Sequence, residues 1–333
     1  MSNNQTTIPS LGWALIGCGG AGNRHTQWAM STPGVEIHGF CDKFADSAAR
    51  FHQQYDAAYH TTNPERIFTD PSVDIVSIAT PHDSHADLAV AACQAKKHLF
   101  LEKPMAMTTS DCLRIYQAMK EADVKLMINF SIRFSGAARL IKEQIGTPLV
   151  SHGQCMMGKA DLSRWRWHPE EGGGPLYDVG VHAIDLLCWM HNSDPVEVYA
   201  TGGQITHPGE LGNDDMIDTV ATTIRFANSS VATFLMSDAG SSSIVSKWFF
   251  EFFDGSSSAV LHEHFSRVTF GDGQTSKPPV IERLPLLVEA IHHDIEPYVP
   301  PRTGILSTLL VEKIAASVQS GSPQKIEIPN LNR

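Results

Sequence analysis

The chain has 333 residues, 42% hydrophobic and 18% charged, the composition of a folded globular protein rather than a disordered or fibrous one. At roughly 150 residues per domain this length predicts two domains, each able to bury a core without staples. Lys and Arg number 25 against 36 Asp and Glu, a net charge of −11, and no basic run exceeds Lys96-Lys97, so nucleic acid is excluded as an expected partner. The cysteines (Cys18, Cys41, Cys93, Cys112, Cys155, Cys188) form no C-x-x-C pair, which argues against a zinc knuckle or a secreted disulfide frame and for a reducing cytoplasm. Met1 to Ser10 has neither the basic nor the apolar region of a signal peptide and reads as a loose tail. No later stretch approaches the roughly 20 apolar residues of a membrane span, so no membrane partner is expected.

From Leu11 to Asn129 short apolar β-type runs alternate with helical ones. Strand Gly12 to Ile16 leads to a helix from Gly20, then strand Val35 to Cys41 and helix Phe44 to Gln54. Strand Asp74 to Ala79, helix Asp83 to Lys96, strand His98 to Leu101, helix Thr108 to Ala122 and strand Lys125 to Phe130 continue the pattern. Such βαβ alternation implies a parallel sheet covered on both faces. The rhythm then changes. A helix around Gly136 to Gln144, strand Leu149 to Met156, a Gly-rich loop and a helix from Pro175 to Met190 precede strand-like runs at Val196–Ile205, Asp218–Phe226, Val231–Ser237, Lys247–Phe253, Ala259–Glu263 and Arg267–Phe270. Turn chemistry at Ala227 and Asp254 separates them, and the Ser-rich pieces near Ser241 and Ser256 read as turns. The expected fold class is thus an α/β N-terminal domain over 1–128 and an α+β C-terminal domain over 129–333, with an antiparallel or mixed sheet and a final helix over 305–320. A catalytic cleft is expected between them.

Gly17-Cys18-Gly19-Gly20-Ala21-Gly22 ends a predicted strand and opens a predicted helix, the setting in which G-x-G-x-x-G binds a dinucleotide. The first glycine permits the turn, the second lets a pyrophosphate approach the backbone, the third lets helix and strand pack, and the helix N-terminus holds the anion. Asp42 ends the second strand, 42 − 22 = 20 residues beyond the last glycine, where a carboxylate accepts from the adenosine ribose hydroxyls. That favours NAD over NADP, with neighbouring Lys43 softening the discrimination. The plainer reading makes the glycines a tight turn and Asp42 a surface cap.

Glu102-Lys103-Pro104 follows a strand and therefore sits at the carboxyl edge of the sheet, where ligands bind in doubly wound folds. Pro104 keeps Lys103 out of the α region, and its ammonium can steady a developing alkoxide. Alternatively it is a solvated lysine. Gly172-Gly173-Gly174-Pro175 opens a helix on which Asp178 and His182 stand at i, i+4, so both are expected on one face. A histidine beside a carboxylate is a ready general base for an alcohol, although such pairs also occur as surface decoration.

With these motifs in order, the sequence resembles the Gfo/Idh/MocA family of nicotinamide-dependent oxidoreductases, which includes inositol dehydrogenases and glucose–fructose oxidoreductase. The resemblance runs from about Leu11 to Ser322 and rests on Gly17–Gly22 with His25, Ala79-Thr80-Pro81 with His85, Glu102-Lys103-Pro104, and Gly172–Gly174 with Asp178 and His182. It implies an N-terminal Rossmann domain and a C-terminal domain whose open, largely antiparallel sheet forms a homodimer or homotetramer interface. It implies that His182 accepts the hydroxyl proton, Asp178 orients substrate or imidazole, and Lys103 stabilises the alkoxide. Gly17, Gly19, Gly20, Ala21, Gly22, Asp42, Thr80, Pro81, His85, Glu102 and Lys103 then fall on the cofactor side. Lys103, Asn129, Arg133, Trp165, Arg166, Asp178 and His182 fall on the substrate side. Arg133 can equally be a charge at the domain seam, and Trp165 a core residue.

His262 with His264, and His292-His293-Asp294 near a helix end, hint at a metal, but nicotinamide chemistry needs none and no metal is expected. Asn213-Asp214-Asp215 reads as a solvated loop. The expected function is an NAD(H)-dependent dehydrogenase oxidising a secondary hydroxyl of a sugar, sugar derivative or cyclitol, or reducing the ketone. An enzyme cycling tightly held NAD and a non-catalytic sugar or nicotinamide sensor of the same fold are the alternatives. Arg133, Arg164 and Arg166 also leave room for an acidic substrate.

Overall fold

The computed structural model describes residues 10–331 except 159–160, 214 and 241–246. The tail expected over Met1 to Ser10 (save Ser10 itself), the turn at Ser241 and Asp214 of the solvated loop lie outside the described residues. The N-terminal half builds β1 (Leu11–Ile16), α1 (Gly20–Ser31), β2 (Val35–Cys41), α2 (Ala45–Tyr55), β3 (Tyr59–Thr61), α3 (Glu65–Phe68), β4 (Ile75–Ile78), α4 (His85–Gln94), β5 (His98–Glu102), α5 (Thr109–Ala122) and β6 (Leu126–Asn129). Their six-stranded sheet has the order β3-β2-β1-β4-β5-β6, parallel throughout. Every residue of β1, β4 and β6 is buried, as expected where helices cover both faces. Inside the sheet layer the Trp13 indole donates to Ser77 Oγ at 2.8 Å. Because the strand order reverses between β1 and β4, their carboxyl ends open the crevice in which doubly wound folds bind ligands.

The C-terminal half contributes α6 (Gly136–Ile145), β7 (Val150–Met156), α7 (Val181–His191), β8 (Pro195–Gly203), β9 (Thr219–Phe226), β10 (Val231–Ser237), β11 (Trp248–Phe253), β12 (Ser258–His262), β13 (Arg267–Phe270), β14 (Thr275–Ser276), α8 (Leu284–His292), α9 (Pro301–Ser320) and β15 (Gln324–Lys325). The nine-stranded sheet has the order β14-β13-β12-β11-β7-β10-β9-β8-β15, and only β7 and β10 pair in parallel. Alternation along β9, buried at Val220, Thr222, Ile224 and Phe226 and exposed between, shows one face on the core and one outward.

Two differences from the expected elements bear on the site. The helix expected from Pro175 begins instead as a π-helical stretch, Leu176–Gly180, and becomes α-helical only at Val181. The final helix starts at Pro301 rather than 305, with proline in its first turn, and Gly304 lets it lie against β6, since a Cβ there would stand 2.4 Å from Ile128 Cδ1. This helix, although late in the chain, thus packs on the first sheet.

Candidate active site

The loop after β1 is built around two backbone approaches that only glycine allows. Gly17 has φ +102° and a Cβ there would stand 2.4 Å from Ala79 O, while one on Gly22 would stand 2.0 Å from Gly17 O. Gly19 and Gly20 face open space, and α1 begins beyond Gly19 without a side-chain cap, so its first N–H groups are left for a ligand. Asp42 reaches across from the end of β2: Oδ2 accepts from Cys18 N at 2.7 Å and Oδ1 from Phe44 N at 2.9 Å. The carboxylate therefore also fastens the loop itself, a role the ribose argument did not include.

These groups line a cavity of about 750 Å³ that runs from Gly17–Ala21, Asp42 and Lys43 past Thr80, Pro81 and His82 to Glu102, Lys103, Trp165, Arg166, Glu171 and Asp178. A cavity of this size, lined by a glycine loop at an uncapped helix start and by ionisable groups, fits a dinucleotide. Among those ionisable groups Lys103 Nζ donates to Asp178 Oδ1 at 2.8 Å and to Asp178 O at 2.6 Å, and Arg166 Nη1 donates to Asp178 Oδ2 at 3.2 Å. Although burial opposes ionisation, the Lys103 and Arg166 charges hold Asp178 well below the usual carboxylate range. The Lys103–Pro104 peptide is cis.

His182 stands half-buried on the first turn of α7, edge-on to Phe130 at 6.2 Å, and outside the walls of the main cavity. Burial, then the Lys103 ammonium, lowers it to about 3, so the ring is neutral near pH 7. Its Nδ1 has no partner among the described residues, and Asp178, committed to Lys103 and Arg166, makes no hydrogen bond to it.

Four other expected site residues lie behind the cavity rather than in it. His85 is fully buried, with its ring nitrogens 2.8 Å from Pro104 O and 3.1 Å from Thr80 O, and so sits between the two loops that do form the wall. Asn129 Nδ2 donates to Glu102 Oε1, which also accepts from His25 Nε2 at 3.0 Å. Those bonds and the Lys103 charge hold the Glu102 carboxyl low despite burial. Gly22 acts through packing alone. Arg133 departs furthest from the substrate side: Nε contacts both Asp185 oxygens at 3.0 Å, Nη2 contacts Oδ1 at 2.7 Å, and the guanidinium lies over Trp189. It neutralises Asp185, fully buried on α7, within the C-terminal part of the chain.

Two groups were missed in the sequence. His82, one residue beyond Thr80-Pro81, lines the cavity, packs T-shaped with Trp165 at 4.8 Å and 88°, and bonds Gly172 O through Nδ1. Its adjacency to that motif was the available signal. Beyond β10, Asp238 and His207 are fully buried with Oδ2 and Nε2 3.8 Å apart, and neither side chain has a hydrogen bond among the described residues. Burial, then the Asp218 and Asp178 charges, push Asp238 up to about 7. Asp218 itself accepts from the N–H groups of Ile205, Thr206 and His207. No spacing in the chain announces this cluster. Among the described residues no group of three His, Cys, Asp or Glu converges as a metal site, and no helix is long and apolar enough to cross a membrane.

The geometry agrees with what the chain is similar to. Residues 11–130 match the family described as oxidoreductase, NAD-binding Rossmann fold, and residues 134–243 match the Gfo/Idh/MocA C-terminal domain. The 1,5-anhydro-D-fructose reductase of Ensifer adhaerens is 30% identical over 229 residues, 67% of this chain and 68% of that one. The myo-inositol 2-dehydrogenase of Thermotoga maritima is 25% identical over 214 residues, 64% of each chain. Levoglucosan dehydrogenase, solved with NADH and L-sorbose, superposes with a TM-score of 0.85 at 23% identity, covering 97% of this chain and 100% of that one. Matched in both halves and carrying the glycine loop, the Glu-Lys-Pro strand end and Asp178 around one cavity, the chain belongs to the Gfo/Idh/MocA oxidoreductase family.

Proposed function

We propose that the protein is an NAD(H)-dependent dehydrogenase that oxidises a secondary hydroxyl of a sugar, sugar derivative or cyclitol, or reduces the corresponding ketone. The observation that carries this reading is the Lys103–Asp178 ion pair, with a neutral imidazole within its electrostatic reach, at one end of a dinucleotide-sized crevice. When bound, the nicotinamide supplies the two-electron acceptor. Gly17, Gly19, Gly20 and Ala21 would hold the pyrophosphate, Asp42 the adenosine ribose, and Thr80, Pro81 and Glu102 the nicotinamide side. Asp42 makes NAD the preferred dinucleotide, because a 2′-phosphate beside it would meet a like charge.

On the substrate side, His182 takes the hydroxyl proton at Nε2, since Nδ1 is buried. Lys103, already aimed by two bonds to Asp178, lowers the energy of the oxygen as negative charge grows on it. Trp165 offers an apolar face to sugar C–H groups, and Arg166 holds Asp178 from the other side. The test is nicotinamide turnover on a panel of hexoses, pentoses, inositols, anhydrosugars and sugar acids, with His182→Ala and Lys103→Met alongside. Turnover on one stereochemical class, reduced at least about 100-fold in both variants, is expected. Full activity in His182→Ala would remove the mechanism, and NAD surviving extensive dialysis without net turnover would point to internal cycling instead.

The division between the dinucleotide and substrate parts is drawn near residue 129, where the first sheet ends. A homodimer or homotetramer is proposed through the outward face of the nine-stranded sheet, where Val150, Tyr199 and Leu235 are exposed. Leu235→Arg is then expected to halve the mass seen by light scattering. The cysteines among the described residues are all free, which supports a reducing cytoplasm.

A further inference from the structure

His82 is 3% exposed, yet it lines the cavity beside Lys103, Trp165, Arg166 and Asp178. Its Nδ1 lies 2.8 Å from Gly172 O, and since a carbonyl oxygen only accepts, Nδ1 carries the ring proton. Burial and the Lys103 ammonium lower the ring to about 3, so no second proton is present near pH 7. Nε2 is therefore a lone-pair acceptor, and it has no partner among the described residues while keeping access to the cavity.

Other acceptors at this end are occupied. Asp178 gives one oxygen to Lys103 and the other to Arg166, and Glu102 is bound by His25, Asn129 and the Lys103 N–H. Glu171 is partly exposed and carries a loose contact to His168 at 3.9 Å. Among the ring and carboxylate groups buried at this end, His82 Nε2 is the neutral one that keeps its lone pair free. A ligand group that presents N–H bonds here meets a buried, neutral acceptor.

We propose that His82 Nε2 accepts a hydrogen bond from the carboxamide amino group of the nicotinamide, which makes His82 a cofactor-positioning residue that also ties the β4 loop to the triple-glycine loop. The proposal rests on NAD occupying this cavity, so its test measures binding and needs no substrate. Isothermal titration of NAD and of 3-acetylpyridine adenine dinucleotide, in which a methyl group replaces the amino group, is compared for wild type, His82→Asn and His82→Gln. Asparagine keeps a donor where Nδ1 stands and loses the acceptor; glutamine keeps an acceptor where Nε2 stands. Wild type should prefer NAD. His82→Asn should weaken NAD about tenfold, the worth of one hydrogen bond, and leave the acetyl analogue unchanged. His82→Gln should retain the preference even where both affinities fall. Unchanged NAD affinity in His82→Asn, or equal losses for both dinucleotides, would overturn the proposal while leaving the NAD reading intact. A wild type that binds neither dinucleotide would overturn both.

Discussion

At the scale of single residues, the Lys103–Asp178 pair and His182 divide their tasks by burial and charge. Removing the Lys103 ammonium leaves Asp178, buried and ionised, with only Arg166, so Lys103→Met is expected to destabilise the fold as well as abolish turnover. Lys103→Arg, which keeps the charge, should recover melting temperature but not turnover. The histidine carries its own pH signature. Because His182 is lowered to about 3, it stays neutral where an ordinary histidine near 6.5 would protonate. The acid limb of kcat/KM is therefore expected well below pH 6; a limb centred near 6.5 would show that an ordinary, exposed imidazole is the base. The residues legible in advance were those that chemistry places near a strand end or helix start: Gly17, Asp42, Lys103 and Asp178 all line the crevice. Arg133 and Asn129 were not, because their partners Asp185 and Glu102 lie 52 and 27 residues away and are chosen by packing.

At the scale of elements, the glycine loop and α1 behave as one part. A Cβ on Gly22 would strike Gly17 O, so Gly22→Ala must move α1 away from β1. A loss of several kcal/mol by chemical denaturation, with NAD binding lost in parallel, is expected from such an overpacked backbone contact. Asp42→Asn should weaken NAD more than removal of a ribose contact alone, because an amide can keep only one of the two backbone bonds that the carboxylate oxygens accept. The strands and helices with strong periodicity were legible to within a few residues. The three-residue β3 at the sheet edge and the four-residue α3 were not, since neither is long enough to show a period.

At the scale of the whole molecule, buried ionisable groups set how stability varies with pH. His82 and His182 are lowered to about 3 and His191 to about 4, each first by burial. In the unfolded chain they would titrate near 6.5, so below that pH the unfolded state gains protons that the fold refuses. Stability from these groups is thus present above about pH 6.5 and lost as pH falls toward 4, which thermal melts across that range would follow. Asp238 works in the opposite direction. Raised to about 7, it is protonated in the fold and ionised in the unfolded chain, so its contribution declines as pH rises from about 4 to 7. Asp238→Asn is accordingly expected to raise the melting temperature at pH 8 and leave it nearly unchanged at pH 4; equal shifts at both would refute the assignment. This cluster needed three segments, around His207, Asp218 and Asp238, to be folded together before it could be seen.

The π-helical stretch at Leu176–Gly180 has a consequence for how this cleft can change over time. In a regular helix successive residues advance by about 100° of rotation. A wide turn absorbs one residue more than a regular one would, so it sets the angular phase of Asp178 relative to everything after it. Shortening the chain by a single residue there would let the turn relax to regular helix without loosening α7, whose buried face is held by Ile184, Leu187 and Met190. Asp178 would then rotate out of reach of Lys103 while His182 stayed in place. One codon separates an aligned pair from a severed one, with the scaffold intact on both sides.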